Sequence, residues 1–273
     1  MAPAHLGWLI LLVGLPAVAP AQSLVSTGQS FLSAELVPGA PNDAGRLAGL
    51  KLRIEDGWKT YWRAPGDAGV PPRFDWSRSE NLAAVEVLWP APEMFESFGM
   101  RMLGYSGEVV LPLQVVPTDP AAPMRLALDL AAGVCREICL IEELTVEATM
   151  LPDTTGGLAA VSEALARLPA RAPGPETGLI AAGCRLEGRG AARLVQAELT
   201  LEGPVTEPIV VIEGPPGIWI GHAVLSEEAG GLRLRAEAPV SVGEGAWIGR
   251  QDLRVTLLGA DGTAAEVIGC APS

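Results

Sequence analysis

The sequence predicts an all-β protein, two β-sandwich domains joined by a short helical linker. Three observations carry that prediction. Apolar and polar residues alternate with period two in short runs spaced roughly a dozen residues apart. Gly and Pro, 32 and 24 residues respectively, punctuate those runs. One stretch alone has helical spacing, 158–168 (LAAVSEALARL), and it lies between two strand-rich regions. A length of 273 residues suits two domains of ordinary size, each able to bury a core.

In the first region, residues 31–37 alternate, and 46–54 (RLAGLKLRI) alternate more clearly, with Leu47, Leu50 or Leu52, and Ile54 as inward positions. Gly57 ends that strand. Residues 85–89 form an apolar strand closed by Pro90 and Pro92, and 109–116 (VVLPLQVV) another, followed by a turn through Pro117, Pro120 and Pro123. Residues 124–130 and 144–150 alternate again. The linker begins at Pro152, and Pro169, Pro173 and Pro175 stop its helix. Beyond Leu179, strands are expected at 191–201, 208–212, 231–236 and 251–258, with turns at 214–217 (GPPG) and 261–262 (DG). No repeat period links the two halves. The resulting division is 1–21 signal peptide, 22–152 first sandwich, 153–176 linker and 177–273 second sandwich.

Residues 6–18 (LGWLILLVGLPAV) form an apolar stretch too short to span a bilayer, and Ala19-Pro20-Ala21 supplies the small-x-small pattern of a signal-peptidase site. Cleavage is expected before Gln22, with export to an oxidising compartment. No later run reaches 18 apolar residues, so no membrane span is expected in the mature chain. The net charge of -13 argues against nucleic acid or anionic lipid as a partner.

The four cysteines, Cys135, Cys139, Cys184 and Cys270, are compatible with two disulfides. Cys135 and Cys139 lie between two alternating strands. If those strands form a hairpin, a three-residue loop sets the pair opposite each other, at about 4.5–5.5 Å between Cα atoms, which a disulfide can bridge. Closing a loop of about five residues stabilises a fold by roughly 2 kcal/mol, against roughly 4.5 kcal/mol for one near ninety. Cys184 and Cys270, 86 positions apart near the ends of the second region, therefore read as a structural staple. The small ring at a turn reads as redox chemistry, with a structural bridge or a metal site as alternatives.

A metal site has little support. The chain has two histidines, His5 in the signal and His222, expected at a surface or turn, and no second cysteine pair beside the first. Cu(I) could use the two thiolates with Met94, Met100 or Met102, although methionines more commonly pack cores. There is no G-x-S-x-G, Walker A or H-E-x-x-H motif. No cofactor is expected.

Three blocks of the first region resemble the DsbD N-terminal domain family, in particular its ScsB-like branch. They are 57–72 (GWKTYWRAPGDAGVPP), 89–93 (WPAPE) with 104–109 (GYSGEV), and 134–139 (VCREIC) with Glu143. They occur in family order across residues 31–150; the second half is similar only loosely. The resemblance implies immunoglobulin-like sandwiches and periplasmic thiol–disulfide exchange through Cys135 and Cys139. It also implies an aromatic cap over the cysteines, matched by Phe95 or Phe98, with Tyr61 beside the site. Ile141 stands where the family often has Pro. The family's membrane and thioredoxin-like domains are missing from the sequence. Electrons are therefore expected from a separate thioredoxin-like or membrane reductase and are passed to an oxidised periplasmic protein. The resemblance points to Cys139 as the attacking thiol. The rival readings are a binding module with two inert disulfides and a Cu(I)-handling protein.

Overall fold

In the computed structural model of the chain, which describes residues 30–97, 99–174, 177–189, 192–243 and 248–272, the period-two runs are strands. The signal segment, the cleavage point at Gln22 and Phe98 lie outside the described residues. The first sandwich contains β1 (Leu32–Val37), β2 (Pro41–Asn42), β3 (Gly45–Ile54), β4 (Lys59–Gly66), β5 (Arg73–Asp75), β6 (Leu82–Val87), β7 (Glu93–Ser97), β8 (Met100–Tyr105), β9 (Glu108–Pro117), β10 (Met124–Cys135) and β11 (Cys139–Met150). One sheet runs β1-β3-β9-β6, with β2 on β3. The facing sheet runs β11-β10-β4-β8-β7, with β5 on β10. Their inner faces meet in a core that fully buries Leu50, Trp62, Leu111, Leu113 and Leu128.

Strand parity decides which residues enter that core. On β3 the inward residues are Ala48, Leu50, Leu52 and Ile54. Leu47 has the opposite parity, so the expected inward placement is corrected: it faces outward and packs under the helix α1 (Leu158–Ala166), beside Val110, Val161 and Ala164. An apolar residue on a strand's outer face is explained here by the linker helix that covers it. Arg46, next to it, is buried and donates from Nη1 to the Pro152 carbonyl at 2.6 Å and from Nη2 to that of Thr154 at 2.9 Å, which fixes the start of the linker.

The second sandwich contains β12 (Ala170–Arg171), β13 (Leu179–Arg189), β14 (Ala192–Leu201), β15 (Ile209–Glu213), β16 (Ile218–Ile220), β17 (Val224–Glu228), β18 (Arg233–Val242), β19 (Arg254–Leu258), β20 (Ala264–Ile268) and β21 (Ala271–Pro272). Its sheets run β12-β20-β19-β15 and β16-β18-β14-β13-β21, with β17 on β18. Cys184 on β13 is bonded to Cys270, just before β21, with Cα atoms 5.3 Å apart. Both lie in the second core with Val195, Ala236 and Val255. The sandwiches touch: Leu258, Ile209, Val211 and Ala264 of the second pack against the core cluster of the first. Among the described residues no helix is long and apolar enough to cross a membrane.

Candidate functional site

β10 and β11 pair antiparallel without a break from Met124↔Met150 to Cys135↔Cys139. The register therefore carries the two cysteines to the tip of the hairpin and sets them opposite each other. Arg136, Glu137 and Ile138 close the turn, with the Arg136 N–H donating to the Ile138 carbonyl at 3.1 Å. The Cα atoms of the pair are 4.2 Å apart and the sulfurs are bonded. The two environments differ sharply: Cys135 is 1% exposed, whereas Cys139 is exposed.

The neighbouring strand supplies the wall. β4 lies against β10 with Cys135↔Lys59 in register, so Lys59, Cys135 and Cys139 form one rung across three strands. Directly opposed residues in an antiparallel pair share a face. Tyr61 is two residues along β4 on the same face. Its ring, buried with Met102 and Cys135, reaches its hydroxyl to within 3.6 Å of Cys139 Sγ. A disulfide sulfur has no proton, so the tyrosine O–H donates. Burial raises the Tyr61 pKa above the ordinary tyrosine value, which keeps the hydroxyl protonated and a donor. The ring fits because Gly133 lies beneath it: a Cβ there would stand 2.8 Å from Tyr61 Cδ2. Gly69 fits against the ring from the loop after β4 for the same reason, at 2.7 Å from Cδ1. Thr60 ties the two strands, donating from Oγ1 to the Gly133 carbonyl at 2.9 Å.

Phe95 packs against this cluster from β7, with its ring 6.3 Å from that of Tyr61. The stretch 93–97 is a strand, not an irregular loop. It pairs with β8 from Glu93↔Gly104 to Ser97↔Met100. Lys59 holds it in two ways: its Nζ sits 5.7 Å from the Phe95 ring centroid and 3.8 Å from Glu93 Oε2. On the far side of the turn, Trp58 stacks on Phe31 at 3.8 Å and carries the Arg136 guanidinium over its face at 5.4 Å. A cavity of about 390 Å³ opens there, lined by Phe31, Trp58, Arg136 and Ile138 among others.

The structure thus brings together Cys135, Cys139, Tyr61 and Phe95. The Met residues considered as copper ligands separate: Met102 is buried beside Cys135, while Met94 is exposed. Among the described residues no group of three or more His, Cys, Asp or Glu side chains is placed to hold a metal ion. His222 is half-exposed and pairs through Nδ1 with Asp67 at 3.2 Å. Sequence reasoning gave no role at the site to Lys59, Gly69 or Gly133. The placement of Gly133 two residues before a cysteine on an alternating strand was the available signal, since that spacing puts both on one face.

The model of the family described as "Thiol:disulfide interchange protein DsbD, N-terminal" matches residues 28–151. These residues belong to the DsbD N-terminal family. The match covers the whole first sandwich, including the hairpin with its cysteine pair and the β4 and β7 walls. Beyond this DsbD N-terminal domain the fold likeness continues. The crystal structure of the N-terminal periplasmic domain of ScsB from Proteus mirabilis superimposes with a TM-score of 0.61 at 21% identity, covering 89% of this chain and 92% of that one. The shared fold therefore includes both sandwiches. The structure of Yersinia pseudotuberculosis InvD aligns over 90% of this chain and 59% of its own at 11% identity, but with a TM-score of 0.21, too low to indicate a common fold. No match is found among curated proteins.

Proposed function

We propose that the chain is a periplasmic thiol–disulfide exchange module, with Cys139 as the attacking thiol and Cys135 as the resolving one. The observation that carries this reading is the asymmetry of the bonded pair: Cys139 is open to a partner, and Cys135 is sealed under the sheet's side chains. A structural bridge has no need of an exposed sulfur, and a five-residue ring stabilises the fold little. The DsbD N-terminal membership supports the same chemistry, and export to the periplasm is consistent with the apolar leader in the sequence.

In the reduced protein the Cys139 thiolate attacks one sulfur of a partner disulfide. A bond forms between Cys139 and that sulfur, and the partner's second sulfur leaves as thiolate. The Cys135 thiolate then attacks Cys139 Sγ, re-forming the 135–139 disulfide and releasing the partner's remaining sulfur as thiolate. Two electrons have passed to the partner, an oxidised periplasmic protein. A thioredoxin-like or membrane reductase supplies the next pair by the same exchange in reverse. The Tyr61 hydroxyl, already aimed at Cys139 Sγ, donates to the thiolate and lowers its pKa. Phe95 and Tyr61 limit access from one side. Ile138, Leu140, Ile141 and Val70 are exposed around the pair and offer an apolar rim for a docking partner.

Two measurements test the reading. Titration of the 135–139 pair against a dithiol buffer is expected to give a potential above the roughly −300 mV typical of structural disulfides. A Cys135→Ala variant, left with Cys139 alone at the tip, is expected to accumulate a mixed disulfide with its partner, identifiable by mass spectrometry. A potential well below that value, with no adduct at Cys139, sinks the exchange reading and leaves an inert binding module.

A further inference from the structure

We infer that the second sandwich positions the redox pair, with His222 as a positioning residue that acts through Asp67 and Tyr61. This role presupposes the exchange reading above and gives the second domain a part in it.

The connection begins on β4. Trp62 points into the first core, fully buried, which leaves its neighbours Tyr61 and Arg63 on the outer face of the sheet. Tyr61 covers the disulfide. Arg63, two residues on, is gripped by the second sandwich: Nε lies 3.0 Å from Glu213 Oε1, Nη2 is 3.0 Å from Glu213 Oε2 and 2.6 Å from Glu266 Oε2. The three side chains are 12%, 21% and 10% exposed, so water screens these pairs little. The strand that carries Tyr61 is thereby fixed to the second domain from its outer face.

A second tie lies just beyond. Past Gly66 the chain turns into a loop in which Gly69 rests against the Tyr61 ring and leaves no space for a Cβ. Asp67 anchors this loop. Its Oδ2 accepts the Arg101 N–H at 2.8 Å within the first domain, and its Oδ1 pairs with His222 Nδ1 at 3.2 Å in the second. The loop borders a cleft of about 680 Å³ between the domains, lined by Pro65, Asp67, Gly69, Ile220 and His222 among others. Without His222, Asp67 keeps its two bonds to Arg101, its own N–H to the Arg101 carbonyl at 3.0 Å and the Arg101 N–H to Oδ2, so the loop is expected to shift by a small amount into that space rather than detach. The chain of contacts is His222 to Asp67, Asp67 to the loop, Gly69 to the Tyr61 ring, and the Tyr61 hydroxyl to Cys139 Sγ. Both partners of the His222–Asp67 pair are partly exposed, so its influence is modest, a few-fold rather than orders of magnitude.

The test uses the full chain with the 184–270 disulfide intact and the 135–139 pair chemically reduced. The iodoacetamide alkylation rate at Cys139 is followed against pH by peptide mass spectrometry, and the midpoint reports the thiol's pKa. His222→Ala is expected to raise the midpoint by about 0.3–0.7 pH unit, a two- to fivefold loss of thiolate preference. His222→Asn, which keeps an N–H donor near the Nδ1 position, is expected to restore the wild-type midpoint. In a Tyr61→Phe background, which lacks the hydroxyl, His222→Ala is expected to add no further shift. An unchanged midpoint in His222→Ala, failure of Asn to restore it, or an equal shift in the Tyr61→Phe background overturns the inference. No partner protein enters the assay, so this result stands apart from the mixed-disulfide test of the exchange reading.

Discussion

Gly133 has no side chain because the ring of Tyr61 occupies the space where one would be, and the consequence reaches the reactive sulfur. A Cβ added at this position would stand 2.8 Å and 2.9 Å from two ring carbons, closer than carbon atoms pack. The ring cannot sink, since Gly69 closes it from the loop and Met102 and Cys135 pack beside it. Gly133→Ala is therefore an overpacking substitution, expected to destabilise the first domain by about 1–3 kcal/mol. Denaturant unfolding measures that cost. The more telling readout is access: compared above the alkylation midpoint of both proteins, where the thiol is fully ionised and the hydroxyl's effect on its pKa does not enter, the reduced Cys139 thiol is expected to be alkylated severalfold faster by a bulky maleimide once the ring is displaced. Wild-type alkylation in a destabilised Gly133→Ala protein would show that Tyr61 does not shield the site. The spacing puts Gly133 on one face with Cys135, but nothing near it in the sequence names Tyr61 as the ring that lies there. Cys135 and Cys139 were legible because a short loop between alternating strands brings its flanks together by local geometry. The glycine's partner is 72 positions away on another strand.

The hairpin of β10 and β11 is the element on which the site depends, since a one-residue slip would separate the cysteines and turn each β11 side chain to the other face. Its far half is held by an ion network. Arg78 reaches Asp129 on β10, with Nε 2.7 Å from Oδ2, and Glu147 on β11, with Nη1 2.8 Å from Oε1. Arg125 joins Glu147 at 2.8 Å. Hydrogen bonds from Arg78 and then Thr145 lower the Asp129 pKa from 3.8 to about 2, and those from Arg125 and then Arg78 lower that of Glu147. The folded state therefore releases these protons more readily than the unfolded chain. The stabilisation is present above about pH 4 and is lost as pH falls towards about 2. Arg78→Met is expected to flatten that part of the stability–pH curve, and molar salt is expected to flatten it in the wild type, because the groups are exposed. Parallel curves for wild type and variant would assign the network no share in holding the register. The hairpin itself was legible: the alternation in 124–130 and 144–150 is local, and its strands extend inward to the cysteines. Leu47 was misplaced because alternation gives a parity and not an absolute side, and the helix that covers the outer face comes more than a hundred residues later.

At the scale of the whole molecule, two sandwiches were legible from two blocks of short strands with a helix between them, and their mutual grip was not. Arg63 reads in the sequence as one more residue of the 57–72 block, with nothing to mark a partner. Its partners Glu213 and Glu266 are brought to it only when the sheet carrying β15 and β20 packs on the first domain. The two disulfides divide along the same line. The Cys184–Cys270 bond closes a separation of 86 residues, ties β13 to the last strand, and lies in the core with its sulfurs shut away from solvent. The chain-entropy account assigns such a loop about 4.5 kcal/mol, against about 2 kcal/mol for the ring at the hairpin tip. Access follows the same order, because Cys139 is exposed and both partners of the other bond are buried. Exchange begins with a thiolate touching a sulfur, so a buried bond reacts only after its domain opens. Stepwise reduction is therefore expected to open 135–139 first, in mild dithiol and with the protein folded. The 184–270 bond should yield only with denaturant present, and its loss should lower the second domain's melting temperature by at least twice the shift seen on opening the first. Mass spectrometry of alkylated peptides at each step reads the order, and calorimetry reads the shifts. If both bonds open together in mild dithiol, the difference in environment does not control their chemistry, and the assignment of one bond to exchange and the other to structure falls with it.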